Sequence, residues 1–358
     1  MKRSLAGWLL VCFVLAAHCG CDSQNLAGPE LVSYEALQRV DGSLTLDDER
    51  KHVVAVHFAS SRTPRGKLTF TPRGTTASDE DLRHLASFPQ LQRLSIRSPR
   101  ISDTGMAQLA GLERLETLRL PGAITDKGLQ HLGTIANLRE LDLSSTRISD
   151  AGLAQLTQLE RLEILRLPYQ ITDKGLQHVG TIASLLELGL SGTEISDVGL
   201  QQIAGLRKLR HLHLEHTNIG DRGMRPLQNL VELRELELEN SDVSDAGLVH
   251  LKGLAKLERL ILRDNKVADD GLVHLKALGR LRVLDLIFTA VTDAGLVHLE
   301  GLAHLEQLLL LGTNVTDAGL EHLVGLRNLR HLVLNETRVT DAGVADLQKS
   351  LPNCKIEK

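Results

Sequence analysis

The sequence predicts an α/β solenoid, with a parallel sheet on a concave face and short helices on a convex face. The triplet Asp-x-Gly recurs every 23 or 24 residues from Asp103 to Asp341, and a fixed period of this length marks a repeat architecture. Between the triplets stands Leu-x-x-Leu-x-Leu, as in Leu138–Leu143, where alternation turns two leucines toward a core and the residue between them outward. Because one unit cannot bury its own leucines, stacked units must do so.

These motifs resemble those of the leucine-rich repeat family over about residues 79 to 356. A Thr, Asn or Ser three places after the last leucine belongs to the same pattern. The recurrent Ile/Val-Ser/Thr-Asp-x-Gly-Leu resembles the ribonuclease-inhibitor-like and cysteine-containing subtypes, and the chain as a whole resembles bacterial secreted or lipoprotein members. The resemblance implies a right-handed leucine-rich repeat solenoid, shaped as a horseshoe, for residues 79–350.

Residues 1–21 have the pattern of a secretory signal peptide. Two basic residues are followed by an apolar run over residues 5–17, which is too short to span a bilayer. Gly20-Cys21 resembles a bacterial lipoprotein signal, in which the cysteine is lipidated and becomes the new N-terminus, although His18 stands where an apolar residue is expected. We therefore expect export to the cell envelope or periplasm with a lipid anchor at Cys21. Ordinary signal cleavage is the alternative.

Residues 22–33 are predicted to be a tether, and residues 34–78 a capping element outside the repeat period. A short helix is expected from residue 34 to 40. Val53–Phe58 and Lys67–Phe70 alternate as strands. Joined as a hairpin, they would cover the open edge of the parallel sheet.

Each repeated aspartate within residues 79–350 begins a helical stretch. Its oxygens are therefore expected to accept from the free backbone N–H groups of its own helix, which explains the residue without a metal or a catalytic role. At the end of the chain, residues 351–358 repeat the strand signature, with Cys354 in a leucine position. They are predicted to form a capping strand with a buried, unreactive thiol.

Function is expected at the outward positions that differ from unit to unit. The middle of the face carries glutamates around two histidines, and the C-terminal third carries large apolar residues at solvent positions, which is typical of an interaction patch. Packing of those apolar residues against the loop above them is the alternative. The predicted partner-binding residues are Glu187, His211, His213, Glu235, Glu237, Ile261, Val283, Phe288, Leu309 and Val333, and Ile287 and Leu311 belong to the same apolar third.

The same glutamates and histidines give a second hypothesis, a metal site. His211 and Glu235, and likewise His213 and Glu237, should be neighbours across about 5 Å on adjacent strands. An ion-pair ladder explains the same residues. The residue directly before the first outward position of each unit is charged in many units, and its sign largely alternates from one unit to the next. These charges are expected to fix the stacking register. They are Glu116, Arg139, Glu163, Arg234, Glu258, Arg282, Glu306 and Arg330.

The sequence contains no phosphate-binding glycine loop, Cys-x-x-Cys or Gly-x-Ser-x-Gly turn, so no catalysis and no cofactor are expected. Its 41 basic and 45 acidic residues leave no basic field for nucleic acid, and 2% aromatic residues offer few stacking platforms. The sequence thus predicts a non-enzymatic scaffold that binds a protein or peptide and touches the membrane only through a lipidated N-terminus. The alternative is an intracellular substrate adaptor of the F-box type, against which the signal peptide argues.

Overall fold

The computed structural model describes residues 26, 28–39, 42–46, 52–58 and 77–358. The chain divides into two units, of which the first contains the described residues up to Leu141 with Ser145–Arg147, and the second contains Asp142–Ser144 and Ile148–Lys358. The predicted signal peptide, with Cys21, lies outside the described residues. Within the described ranges, no helix combines the length and the apolarity needed to cross a membrane.

The first unit begins with helix α1 (Pro29–Arg39) and strands β1 (Gly42–Leu46) and β2 (Val53–Phe58), which pair antiparallel as a hairpin. Strand β2 also pairs in parallel with β3 (Arg93–Ile96), which pairs with β4 (Thr117–Arg119). The other helices of this unit are α2 (Asp103–Met106), α3 (Asp126–Leu129) and the 3₁₀ helices Asp81–Ser87, Ala107–Leu109 and Leu132–Thr134.

Two expectations for the N-terminal region differ from the structure. The hairpin partner of Val53–Phe58 is Gly42–Leu46 and not Lys67–Phe70, because both edges of β2 are already paired; residues 67–70 lie outside the described part of the chain. Helix α1 begins inside the predicted tether, five residues before Tyr34. Its first residue, Pro29, suits this place because the fixed φ of proline matches a helix and its missing N–H would have no partner there.

The second unit is a stack of strand and helix repeats, whose strands pair in parallel from each repeat to the next. After β5 (Glu140–Asp142), the strands are β6 (Ile164–Arg166), β7 (Glu187–Gly189), β8 (His211–His213), β9 (Glu235–Glu237), β10 (Arg259–Ile261), β11 (Val283–Asp285), β12 (Gln307–Leu309), β13 (His331–Val333) and β14 (Lys355–Glu357).

A short helix follows each strand from β6 to β13. The α-helices are α4 (Asp173–Val179), α5 (Asp197–Leu200), α6 (Asp221–Met224), α7 (Asp245–Leu248), α8 (Asp269–Leu272), α9 (Asp293–Leu296), α10 (Asp317–Leu320) and α11 (Asp341–Ser350). Most continue into a 3₁₀ turn, and the 3₁₀ helices of this unit are Gly152–Gln158, Gln201–Gly205, Arg225–Asn229, Val249–Leu251, Val273–Ala277, Val297–Leu299 and Glu321–Leu323.

The core is a row of leucines in register. Leu212 of β8 pairs with Leu236 of β9, which pairs with Leu260 of β10, and all three side chains are fully buried. Burying one leucine contributes about 1.5 to 3 kcal/mol. The stack is therefore held by its apolar interior, and the residues on either side of each leucine are left free to vary.

The repeated aspartate does not cap its own helix, contrary to expectation, because it is the first residue of the helix and the N-cap is the residue before it, such as Thr292, Thr316 or Ala268. Asp269 instead reaches the next repeat, where its Oδ1 accepts from the backbone N–H of Thr292 at 2.7 Å and its Oδ2 accepts from the Thr292 hydroxyl at 2.6 Å. A methyl group on Gly295 would lie 2.4 Å from Asp269 Oδ1. The Asp-x-Gly triplets thus form a contact between repeats, in which the glycine of one repeat leaves room for the aspartate of the repeat before it.

Strands β7 to β13 end in a turn with left-handed backbone. One residue of each turn has a positive φ, between +52° and +71°. These residues are Gly192, His216, Asn240, Asp264, Phe288, Gly312 and Glu336. From Gly192 to Gly312, the N–H of this residue donates to a carbonyl of the next repeat, as Phe288 N does to Leu311 O at 2.9 Å. The turn therefore adds one further rung to the ladder.

The chain ends with strand β14, which pairs in parallel with β13. Cys354 lies just before it, in the position of a leucine, and its side chain is buried. Burial raises the pKa of the Cys354 thiol. The thiol is therefore held in its unreactive, protonated form.

Candidate functional site

Outward side chains of strands β8 to β10 form a connected cluster of charges. Outward positions alternate with the buried leucines, and the parallel register places His211 beside Glu235, Glu235 beside Arg259, and His213 beside Glu237. Residues 24 positions apart in the sequence thus become neighbours on one face.

Two histidine–glutamate pairs are present at the predicted places. His211 Nδ1 lies 3.0 Å from Glu235 Oε2, and His213 Nδ1 lies 2.9 Å from Glu237 Oε2. Arg259 joins the pairs, since its Nε lies 2.8 Å from Glu235 Oε1 and 3.3 Å from Glu237 Oε1. These charge-assisted contacts connect three strands.

Glu187 extends the cluster to strands β7 and β6. Its Oε1 accepts from Arg166 Nη2 at 2.6 Å and lies 3.9 Å from His213 Nε2. His213 therefore faces a carboxylate on each of its two ring nitrogens. The side chains of Glu187 and His213 are only 18% and 23% exposed, so solvent screens these charges incompletely.

Glu215 completes the cluster and was not among the residues predicted from the sequence. It occupies the outward position two residues after His213, in the turn that follows β8, and its Oε2 accepts from the Ser191 hydroxyl. Its carboxyl group also hydrogen-bonds that of Glu237. The sequence signal is the period of two, which continues from His211 through His213 to Glu215 in the turn after the strand.

The surroundings set the charge of these groups. The hydrogen bond with Glu237 raises the pKa of His213, burial opposes it, and the charges of Glu237, Glu215 and Glu187 add to the increase. The same hydrogen bond holds the pKa of Glu237 far below its usual range. Burial, followed by the hydrogen bond to Glu237, raises the pKa of Glu215. The cluster therefore combines an ionised Glu237 with a histidine that retains its proton above the usual pH.

Replacing Glu237 by glutamine is expected to lower the pKa of His213 toward its ordinary value of 6.5, because the strongest influence that raises it is removed. Two-dimensional NMR of the histidine ring protons against pH measures this. Glu235→Gln is the control, since Glu235 contacts His211. Because the folded-state pKa of His213 is the raised one, the contribution of this histidine to stability is complete below its ordinary pKa of 6.5 and is lost as pH rises through the raised value. An unchanged His213 titration in Glu237→Gln would contradict this assignment.

The predicted apolar third of the face is exposed only in part. Ile261 and Val333, both predicted partner-binding residues, are 6% and 9% exposed, and Ile287 is 9% exposed. The reason is the strand spacing of about 4.8 Å, at which the flanking side chains, such as Glu237 and Asp285 on either side of Ile261, cover one another. The half-buried apolar residues of this third are Val283, Leu309 and Leu311.

Phe288 is the exposed apolar residue of this region, with 45% of its surface accessible. Its φ is +53°, a left-handed conformation that is uncommon for a bulky residue. Its ring lies over Gly312 of the next repeat, where a methyl group would come within 2.3 Å of Phe288 Cδ1. The bare glycine surface therefore holds the ring on the face of the sheet.

The ladder one position earlier is formed in part as predicted. Arg234 donates to Glu258 at 2.6 Å, and Arg282 donates to Glu306 at 2.7 Å. Such half-exposed pairs contribute about 0.2 to 1 kcal/mol each. These pairs join neighbouring repeats, and they do not use the outward side chains of the strands themselves.

Comparison with known proteins agrees with the repeat motif. A family model described as Leucine Rich repeat matches residues 134–156, 205–227 and 253–276. Among curated proteins, no sequence matches this chain. The fold is similar to that of an internalin from Listeria monocytogenes, at 21% identity and a TM-score of 0.64 over 94% of this chain and 96% of that one.

A leucine-rich repeat protein from Leptospira interrogans is a more distant structural match, at 17% identity and a TM-score of 0.47, covering 77% of this chain and 86% of that one. The repeat motif, the matches to the repeat model and the α/β fold agree. The matched segments of this chain are leucine-rich repeats, and its fold is that of an α/β leucine-rich repeat solenoid.

Proposed function

We propose that this protein is a non-enzymatic scaffold that binds a protein or peptide through the outward face of strands β7 to β12. The observation that carries the proposal is that the charged cluster is not required by the stack. Other repeats place Gly189, Ile261 or Leu309 where His213 and Glu237 stand, so these side chains are available for another role.

Charge indicates the chemistry of the partner. Carboxylates outnumber guanidinium groups in this region, and an unbalanced acidic surface attracts a basic segment. Beside it lie the half-buried Leu309 and the exposed Phe288, and aromatic anchors often carry much of a binding energy. We infer that the partner presents lysine or arginine followed by an apolar side chain. The charged residues meant are Glu187, Glu215, Glu235, Glu237 and Glu239, against Arg166, Arg259 and Arg263.

The test is capture of partners from the envelope fraction of the native cell, followed by quantitative mass spectrometry. Proteins retained by the wild type are expected to be lost with Glu237→Lys and reduced with Phe288→Ala. Glu321→Lys is the matched control, because Glu321 is exposed on a 3₁₀ helix away from the strands. If both face variants retain the same proteins as the control, the proposal is wrong.

We further propose that the protein works at the cell envelope, tethered by a lipid on Cys21. The support is the sequence pattern of residues 1–21. The same cells can be labelled with a radioactive fatty acid, and label is expected in the wild type and absent from Cys21→Ser. A shortened but unlabelled wild-type chain would mean ordinary signal cleavage. A mature chain found in the cytosol would favour the intracellular adaptor instead.

A further inference from the structure

His213, Glu215 and Glu237 bring three metal-ligating groups together. One donor atom from each lies within 4.8 Å of the other two, and no other group of three or more His, Cys, Asp or Glu residues in the described part of the chain does so. His213 and Glu215 occupy successive outward positions after the buried Leu212, and Glu237 is the partner of His213 on the next strand. Because the strand register fixes these positions, the three groups converge without a long flexible loop.

The donor set favours a transition metal ion. One imidazole nitrogen with two carboxylates suits Zn²⁺, whereas Mg²⁺ and Ca²⁺ prefer oxygen ligands throughout. Two ionised carboxylates with a neutral imidazole balance the charge of a divalent ion. Three protein ligands leave at least one position open for water or another ligand.

Each of the three groups also has a charged or polar neighbour outside the set. Glu187 Oε1 lies 3.9 Å from Nε2 of His213, on the side of the ring away from Glu237, and Arg166 holds that glutamate at 2.6 Å. The Ser191 hydroxyl donates to Glu215 Oε2, and Arg259 Nε lies 3.3 Å from Glu237 Oε1. A carboxylate behind a ligating histidine is the usual arrangement in metal sites, where it fixes the ring and its tautomer.

The two carboxylates also lie close together. One oxygen of Glu215 and one oxygen of Glu237 are within 4.8 Å of each other and of a ring nitrogen of His213. Two ionised carboxylates this close repel each other, and a divalent ion between them would remove that repulsion.

We propose that His213, Glu215 and Glu237 form a site for one divalent transition metal ion, with Zn²⁺ as the favoured species. The proposal goes beyond the scaffold function and does not depend on any partner.

The test uses the full chain, freed of metal with a chelator and titrated with Zn²⁺ by calorimetry. One saturable site per chain is expected. Glu215→Gln and His213→Gln are each expected to weaken Zn²⁺ binding about tenfold or more, since each replaces a ligating side chain by a weaker ligand of similar size. Glu235→Gln is the matched control, because Glu235 contacts His211 and Arg259 but is not one of the three ligands, and it should leave the affinity within about threefold.

Two further measurements separate this site from loose binding by the other histidines. Co²⁺ should give a visible absorption spectrum that changes in His213→Gln and not in Glu235→Gln. At one Zn²⁺ concentration, the melting temperature should rise by similar amounts in the wild type and Glu235→Gln and by a smaller amount in Glu215→Gln. Circular dichroism confirms that each variant is folded. Absence of saturable Zn²⁺ binding to the folded wild type, or equal binding by wild type, Glu215→Gln and His213→Gln, would overturn the proposal.

Discussion

Replacing Gly295 by alanine is expected to lower the free energy of unfolding by about 2 to 4 kcal/mol. The added methyl group would lie 2.4 Å from Asp269 Oδ1 and 3.0 Å from Leu272 Cδ1. The carboxylate must therefore move away from Thr292, whose N–H and hydroxyl it holds at 2.7 and 2.6 Å. Alanine is the better helix former by about 1 kcal/mol, which offsets only part of this cost. Urea unfolding followed by circular dichroism measures the difference.

The matched control lies in the same repeat. A methyl group on Gly301 meets no atom within 4 Å, so Gly301→Ala is expected to change stability by less than about 0.5 kcal/mol. The Asp269→Ala background tests the cause, because the second substitution should cost less once the carboxylate is gone. If Gly295→Ala is as mild as Gly301→Ala, the aspartate–glycine contact does not hold the repeats together.

This contact shows where sequence reasoning reached its limit in the fold. The period of the Asp-x-Gly triplet predicted stacked repeats, and alternation predicted the buried leucines such as Leu260. A local helix rule then assigned Asp269 to its own N-terminus, because the rule considers one helix at a time. The true partner, Thr292, is 23 residues away. Only the packing of one repeat against the next brings them together.

In the candidate site too, the sequence predicted some features correctly and others wrongly. Register alone placed His213 against Glu237, and that contact is present at 2.9 Å. The same rule failed for Ile261, which is buried, because exposure depends on how far the neighbouring side chains extend over it. The left-handed backbone of Phe288 could have been predicted from the period, because the adjacent repeats carry Asp264 and Gly312 at that place and both residue types favour this conformation. Whether an outward residue is exposed is thus decided by its flanking residues.

Replacing Asn265 by alanine is expected to cost about 3 kcal/mol or more of stability. Asn265 is 8% exposed, and its Nδ2 donates to the carbonyls of Leu238 and Leu262 at 2.6 and 3.1 Å. Its Oδ1 accepts from the backbone N–H of Val243 at 3.1 Å. Alanine would leave these buried groups without a partner, and each such group costs about 1 to 3 kcal/mol. Urea unfolding again provides the measurement.

Threonine is the control that the chain itself supplies. Thr289 stands at the equivalent position one repeat later and donates to the carbonyl of Leu286 at 2.6 Å. Asn265→Thr should therefore retain the bond to Leu262, lose those to Leu238 and Val243, and cost about 2 kcal/mol. Leu238, whose carbonyl Asn265 holds, directly follows Glu237 in the chain. Both variants lose the bond to Leu238, so both should also shift the NMR titration of His213. Equal losses in the two variants would mean that the side-chain amide is not what fixes this turn, and an unshifted His213 would mean that the turn does not position the cluster.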